Sequence, residues 1–325
     1  MRDHITELSG FIQRAEELRR LNAFQPALRR YAMSMLRMYR GTPVLNKIIN
    51  EQGRFLISSL ALQLHLHRDP AVPGDGLTLS RLRELCAEHK VASTGRVTAF
   101  LALMRFAGFL APAAGIADRR AKVLVPTARM MGHVRLFTVI QMQALDALDP
   151  GADHGQRLDR DPEFLEAFHR AAGGYFLRGC RLPDAFPELE VFTAADAGYM
   201  VLMTLFLQLP TEGGRAVPAV VDLPHGPAAS RFGVSRSHMA NLMRAAQAKG
   251  FLTAQGSGGR GLQIDASLIT LVERWFAAQM ALMAQSAKEA IEDAARENAA
   301  DAAPGAIAPG MRPAAPPDRA RGGTV

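Results

Sequence analysis

The sequence predicts a mainly α-helical protein carrying small β-hairpins, and three observations predict it. One segment occurs twice. Val97-Thr98-Ala99-Phe100-Leu101-Ala102-Leu103-Met104-Arg105-Phe106-Ala107-Gly108-Phe109-Leu110 is echoed without a gap by Met239-Ala240-Asn241-Leu242-Met243-Arg244-Ala245-Ala246-Gln247-Ala248-Lys249-Gly250-Phe251-Leu252, so that Gly108 and Gly250 stand 142 positions apart. Each copy has apolar residues at helical spacing, ends in Gly-Phe-Leu, and runs on into a glycine-containing basic hairpin. Around both copies the same order of elements recurs: helix, helix, turn, helix, two-stranded hairpin, helix.

The elements follow in chain order. Residues 5–40 read as helices with a break at Gln25-Pro26, one apolar stripe being Leu8, Phe11, Ile12 and Ala15 and another including Tyr31, Met35, Leu36 and Met38. Thr42-Pro43 suits an N-cap and first helical turn. A long apolar helix covers 55–66, a Pro- and Gly-containing loop 69–76, and Thr78 caps a helix to 88. The first copy of the repeat is a helix over 93–107, with strands over 109–112 and 121–125 flanking a tip at 115–120. Thr127 opens a helix to 148, Asp149-Pro150-Gly151 breaks it, and Asp161-Pro162 opens another to 181. A helix over 193–209, a loop to 218, a short helix over 227–232 and a turn at Gly233 lead to the second copy at 235–249. Its hairpin covers 251–255 and 261–264, and a last helix runs from 266 to 300. Beyond Ala302, Pro, Gly, Ala and Arg dominate without periodicity, which predicts a disordered tail. The divisions are therefore an N-terminal helical segment (1–50), a first module (51–148), an acidic helical connector (149–192), a second module with a long C-terminal helix (193–302), and the tail (303–325).

Composition narrows the partners. The 325 residues suffice for about two domains and are 48% hydrophobic, so most of the chain folds. The net charge of +7 and pI near 9.9 suit an acidic partner. The charge is unevenly placed. Arg81, Arg83, Lys90, Arg96, Arg105, Arg119, Arg120, Lys122, Arg129 and Arg135 belong to the first module, whereas the stretch 146–196 is acidic. Two cysteines, Cys86 and Cys180, exclude a disulfide framework and fit a reducing cytoplasm. Met1-Arg2-Asp3-His4 leads into a charged amphipathic stretch, not a signal peptide, and the longest apolar run, 199–207, is too short to span a bilayer.

The order of elements is that of a tandem winged helix-turn-helix protein with long connecting helices. A helix that reads DNA packs one face on its domain and turns polar side chains from its N-terminal turns into the major groove. In the second copy, Met239, Leu242, Met243 and Ala246 form the packed face, while Arg236, Ser237, Ala240, Asn241 and Arg244 point outward, with His238 beside them. Arg can bond guanine and Asn adenine in bidentate fashion. Ser235 caps the helix and leaves N–H groups for a phosphate. In the first copy Val97, Phe100, Leu101 and Met104 pack, and Ser93, Thr94, Gly95, Arg96, Thr98 and Ala99 lie outward or at the edge. Those small residues read few base edges, and the wing compensates with Arg119, Arg120 and Lys122, cations suited to a narrow minor groove. The second wing, 256–261, is glycine-rich and offers only Arg260.

Asp118-Arg119-Arg120-Ala121-Lys122, followed by apolar residues and Thr127, together with Gly108-Phe109-Leu110, resembles the wing of the MarR family of bacterial regulators. The resemblance covers roughly 55–148. The second module resembles winged helix-turn-helix regulators more loosely, through Ala229-Ser230-Arg231-Phe232-Gly233-Val234-Ser235-Arg236-Ser237-His238. MarR-like proteins are one-module chains that dimerise, whereas this chain holds two modules. The resemblance implies a transcriptional regulator with Arg119 or Arg120 in the minor groove.

The expected partner is double-stranded DNA, read by one chain as a pseudo-dimer at half-sites about 34–36 Å apart. The unequal readers predict an asymmetric site. Further dimerisation through 127–148 or 266–300 stays open, as does a small-molecule effector against Tyr199, Met200, Met203 and Phe206, residues that otherwise read as plain core. Two alternatives stand beside this: a plasmid-type replication initiator with tandem winged helices, and a winged-helix protein–protein scaffold. No membrane, metal or cofactor is expected, and no nucleophile–base constellation marks an enzyme. The 256–261 glycines lack the Gly-Lys-Ser/Thr ending of a phosphate loop, His65 and His67 lack a partner cluster, and Cys86 reads as a buried thiol.

Overall fold

The N-terminal residues form two helices, α1 (Arg2–Leu18) and α2 (Phe24–Arg40), in a computed structural model that describes residues 2–40, 46, 51–69, 71–72, 74–114, 122–255 and 261–302. The break between them falls at 19–23, not at Gln25-Pro26. Pro26 occupies the first turn of α2, where its missing N–H forfeits no helical bond.

The next stretch is α3 (Gln52–Leu66), α4 (Leu79–Glu88), α5 (Thr94–Phe106), β1 (Leu110–Pro112), β2 (Leu124–Pro126) and α6 (Ala128–Asp146). The strands pair antiparallel with Leu110 opposite Pro126, and Leu77 adds a single bridge to Leu124. The chain continues through α7 (His154–Arg160), α8 (Pro162–Leu177), two 3-10 turns and the one-turn α9 (Glu190–Thr193) to α10 (Gly198–Leu207). Then come a tiny hairpin, β3 (Thr211–Glu212) with β4 (Arg215–Ala216), and β5 (Val220–Asp222), α11 (His225–Phe232), α12 (Arg236–Ala248), β6 (Leu252–Gln255), β7 (Gly261–Ile264) and α13 (Ala266–Ala302). The larger sheet has the order β5-β7-β6. The protein is thus mainly helical with small antiparallel sheets.

Capping residues set the helix starts where the sequence placed them. Thr78, Ser93, Thr127, Asp161 and Ser235 each accept from a backbone N–H one turn on, an arrangement worth about 1 kcal/mol per cap. The repeat holds at the level of single hydrogen bonds. Gly108 (φ 73°) and Gly250 (φ 77°) both adopt the left-handed conformation. Phe109 N donates to the Met104 carbonyl at 2.9 Å and Phe251 N to the Ala246 carbonyl at 3.1 Å, so both helices close the same way. Thr127 N and Asp265 N then bond back to the carbonyls of Phe109 and Phe251, which fixes the next helix against each hairpin.

Several expectations are corrected. The helix expected over 193–209 is broken: Ala197 takes φ 60°, and a side chain on Gly198 would lie 2.0 Å from the Phe192 carbonyl oxygen. That close backbone approach requires glycine, and only tertiary packing imposes it. The helix opened by Pro162 stops at Leu177 rather than 181, and Gly179 (φ 93°) turns the chain. Helix α7 was not expected, because it buries little beyond Leu158 and Gly155; Asp146 anchors it by accepting from His154 N and Gly155 N at 3.1 and 2.8 Å. The loop expected over 209–218 holds β3 and β4, whose turn is Gly213-Gly214, both at positive φ. The tips at 115–120 and 256–260, the Thr42-Pro43 cap and the tail 303–325 lie outside the described residues.

The apolar interior has two parts. Ile57, Leu77, Leu82, Cys86, Val97, Phe100, Phe109, Leu124 and Met130 form one core within 51–130. The second, larger core joins α1, α2, the C-terminal half of α6, α8, α10, the whole unit from β5 to β7, and α13. Phe276 of α13 packs against Phe24 and Tyr31, with ring centroids 5.6 and 5.2 Å away. Ala277, Ala278 and Ala281 let neighbouring helices approach closely. Helix α10 is apolar all round because it is buried on nearly every side. Among the described residues, no single helix is long and apolar enough to cross a membrane.

Ion pairs fasten α1 to the rest: Arg19 to Glu273 at 3.0 Å, Arg274 to Glu16 at 3.0 Å and Arg178 to Glu7 at 3.2 Å. His169 on α8 is partly buried and lines an interior cavity. The Thr138 hydroxyl donates to the Val134 carbonyl at 2.8 Å, so His169 Nε2, 3.0 Å from the same oxygen, carries the ring proton and donates to it. Burial lowers its pKa to about 4 from the ordinary 6.5.

Two predictions follow from this packing. Gly108→Ala and Gly250→Ala should each destabilise by about 1–2 kcal/mol, since both force a side chain into the left-handed region; urea midpoints of the two variants check it, and an unchanged midpoint contradicts it. The second concerns His169. An unfolded chain binds a proton on this imidazole near pH 6.5, whereas the folded protein resists until about pH 4. Its contribution is intact above pH 6.5 and is lost as pH falls toward 4, on the order of 3 kcal/mol. His169→Gln should therefore lose less stability than the parent between pH 7 and 4.5 in matched urea titrations.

Candidate nucleic-acid interface

Helix α12 separates its faces cleanly. Met239, Leu242, Met243 and Ala246 are buried, while Ser235, Arg236, Ser237, Asn241 and Arg244 are exposed. The Ser235 hydroxyl lies 3.0 Å from that of Ser237 and accepts from His238 N at 3.0 Å. Arg244 donates to Asn241 Oδ1, which presets the rotamers of both side chains on the outer face. An amide oxygen has two acceptor sites, so this bond leaves Asn241 able to meet a further donor and to donate through Nδ2.

Helix α5 has the same division, with Val97, Phe100, Leu101 and Met104 inward. Ser93, Thr94, Gly95 and Ala99 are exposed, but Arg96 and Thr98 are engaged. Both Nε and Nη2 of Arg83, on α4, donate to Thr98 Oγ1, at 3.0 and 2.6 Å, and the Thr98 hydroxyl donates to the Thr94 carbonyl at 2.7 Å. Arg96 forms an ion pair with Glu51. Lys122 is exposed just before β2, whereas Arg119, Arg120 and Arg260 lie outside the described residues.

Glu51 opens a set of contacts that ties the two repeated helices together. Its carboxylate caps α3, accepting from Gly53 N at 2.8 Å and Arg54 N at 3.2 Å, while also pairing with Arg96. The Arg54 guanidinium reaches Glu51 at 3.6 Å and forms an ion pair with Asp196. The Asp196 carbonyl oxygen lies 2.9 Å from His238 Nε2; since a carbonyl only accepts, Nε2 carries the proton. Arg96 near the start of α5 and His238 near the start of α12 are therefore joined through Glu51, Arg54 and Asp196. Gly53 leaves room for it: a side chain there would lie 2.9 Å from a Glu51 oxygen and 3.2 Å from the Arg96 guanidinium.

Two residues expected to face a ligand, Arg96 and His238, thus hold the two helices in register. Glu51, Arg54 and Asp196 were missed. An acid before a helix is an ordinary capping signal, and nothing in a linear chain shows that residues 51, 96 and 196 meet. The acidic stretch has local duties as well: Asp146 caps α7 and Asp161 caps α8. Elsewhere, burial pushes the Cys86 and Cys180 thiols up to about 11. Burial lowers the pKa of His65, and the His67 ring lies 3.0 Å from the Gln63 carbonyl. Among the described residues, no three His, Cys, Asp or Glu side chains gather as a metal site.

Glu51→Ala removes a helix cap and an ion-pair partner together, and should cost about 2 kcal/mol. Gly53→Ala instead pushes only side-chain ends, and the gain in helix propensity of up to about 1 kcal/mol offsets the crowding. Denaturation midpoints should separate the two; equal losses would contradict this account of the contact. Comparison with protein-family models, with curated proteins and with solved structures finds no match to this chain.

Proposed function

We propose that the chain is a sequence-specific double-stranded-DNA-binding transcriptional regulator, built from two winged helix-turn-helix modules that act as a pseudo-dimer. The observation that carries the reading is the outer face of α12: a capped N-terminus and exposed Arg236, Ser237, Asn241 and Arg244 on a helix whose other face is buried. That is what a helix needs to enter the major groove, with Arg for guanine and Asn for adenine. The order of elements adds support. In both units a strand or bridge (Leu77; β5) precedes two helices and pairs with the hairpin that follows them.

The two modules take different tasks. Helix α12 reads bases. Helix α5, with small exposed residues and Arg96 held by Glu51, brings backbone close to phosphate and leaves base reading to its partner. The MarR-like wing with Arg119, Arg120 and Lys122 supplies cations for the minor groove. Because Glu51, Arg54 and Asp196 couple the helix starts, one chain presents both at a fixed spacing.

The test begins with genomic mapping of binding sites, where occupancy of promoters supports regulation and occupancy of a repeated-site replication origin favours an initiator. On the recovered site, Arg236→Ala and Asn241→Ala should each reduce discrimination between correct and altered bases by about 1–3 kcal/mol, while Arg119→Ala weakens all sequences alike. Anisotropy titrations across a salt series provide both numbers. Affinity that is weak and flat with salt would contradict DNA binding, because phosphate contacts impose a steep dependence.

A further inference from the structure

A cavity of about 370 Å³ lies where α2, α3, α6, α8, α10 and α13 converge. Its volume falls within the range of small-molecule sites, roughly 300–1,000 Å³. Its wall is mostly apolar and unusually adaptable, with Met35, Met38, Met104, Met130, Met200 and Met283 among the lining residues.

Its polar groups define the occupant. No Lys or Arg side chain lines it among the described residues, and its one carboxylate, Glu51, is already matched by Arg96 and Arg54. His133 and His169 also line it, but burial lowers the pKa of both and keeps them neutral near pH 7, so a charged ligand would find no counter-ion. Two acceptors are unused: Gln63 Oε1 and Gln279 Oε1 are buried without a hydrogen-bond partner. Gln63 is 5% exposed, and its Nε2 is held by donation to the His169 carbonyl at 2.7 Å. The space it fills exists because residue 173 is glycine: a side chain there would lie 2.0 Å from the Gln63 amide. A buried acceptor left without a donor is unfavourable, and a ligand donor relieves it once the amide turns toward the cavity.

We propose that this cavity binds an uncharged, largely aromatic small molecule carrying a hydroxyl or N–H donor, and that Glu51 transmits its occupancy to α5 and α12. Glu51 lines the cavity, as do Thr193 and Tyr199, three positions before and after Asp196, so a ligand touches Glu51 directly and the segment that carries Asp196. The site does not depend on the DNA-binding reading.

Trp275, the only tryptophan in the chain, lines the cavity and serves as its reporter. The probe is N-phenyl-1-naphthylamine, uncharged with one N–H. Titrated into the full chain, it should quench Trp275 emission and gain its own, saturating at one equivalent. Ala172→Phe and Ser59→Leu, two independent ways of filling the space, should each weaken binding about tenfold or more in variants whose melting temperature is retained. Absence of saturable binding, or binding that neither filled variant weakens, overturns the site. Hydrogen exchange tests the link without DNA: the probe should change amide exchange at 93–98 and 235–239 in the parent and not in Glu51→Gln. Binding with no such change, or with the same change in Glu51→Gln, overturns the role of Glu51 and leaves the cavity site standing.

Discussion

The carboxylate of Glu51 is the point on which the two repeated units depend. It accepts from the backbone at the start of α3 and from the Arg96 side chain, and it orients Arg54 toward Asp196. A side chain that is largely enclosed yet surrounded by donors is strongly held, because charge-assisted bonds gain strength where water is scarce. Arg96 and Asp196 are themselves about half exposed, at 46% and 47%, so water screens their pairs and the enclosed backbone cap of Glu51 is the stronger part of the contact. Here the contact sets the relative placement of two helices that belong to different cores.

That division of cores gives the contact its consequence. The first unit packs around Ile57, Leu82 and Phe109. The second shares its interior with α1, α2, α10 and α13. Helix α6 runs through both, with Met130 in the first core and Val139 and Leu145 in the second, so the contacts around Glu51 act beside a continuous helix that already joins the units. The cavity sits at that junction with methionines and two idle amide oxygens in its wall.

Much of the fold was legible in the chain. Ser93, Thr127 and Ser235 mark helix starts because a hydroxyl that accepts a free N–H works the same way in any context. Gly108 and Gly250 mark helix ends because the left-handed turn excludes most side chains. The buried and exposed faces of α5 and α12 follow from helical spacing alone. The misses share one cause. The break at Ala197-Gly198 answers the Phe192 carbonyl, and α7 forms because Asp146 anchors its first amides, so each depends on a partner beyond the local window.

The same division holds for the candidate site. Local sequence determined the two repeated helices, their caps, their glycine ends and the outward polarity of Arg236, Ser237 and Asn241, because neighbours within one turn decide those features. Tertiary structure alone decided that Arg96 and His238 are occupied, that Arg83 holds Thr98, and that Glu51, Arg54 and Asp196 join the two units. Helical periodicity reports which way a side chain points. It carries no information on what waits there, since residues 51, 96, 196 and 238 meet only after the chain has closed on itself.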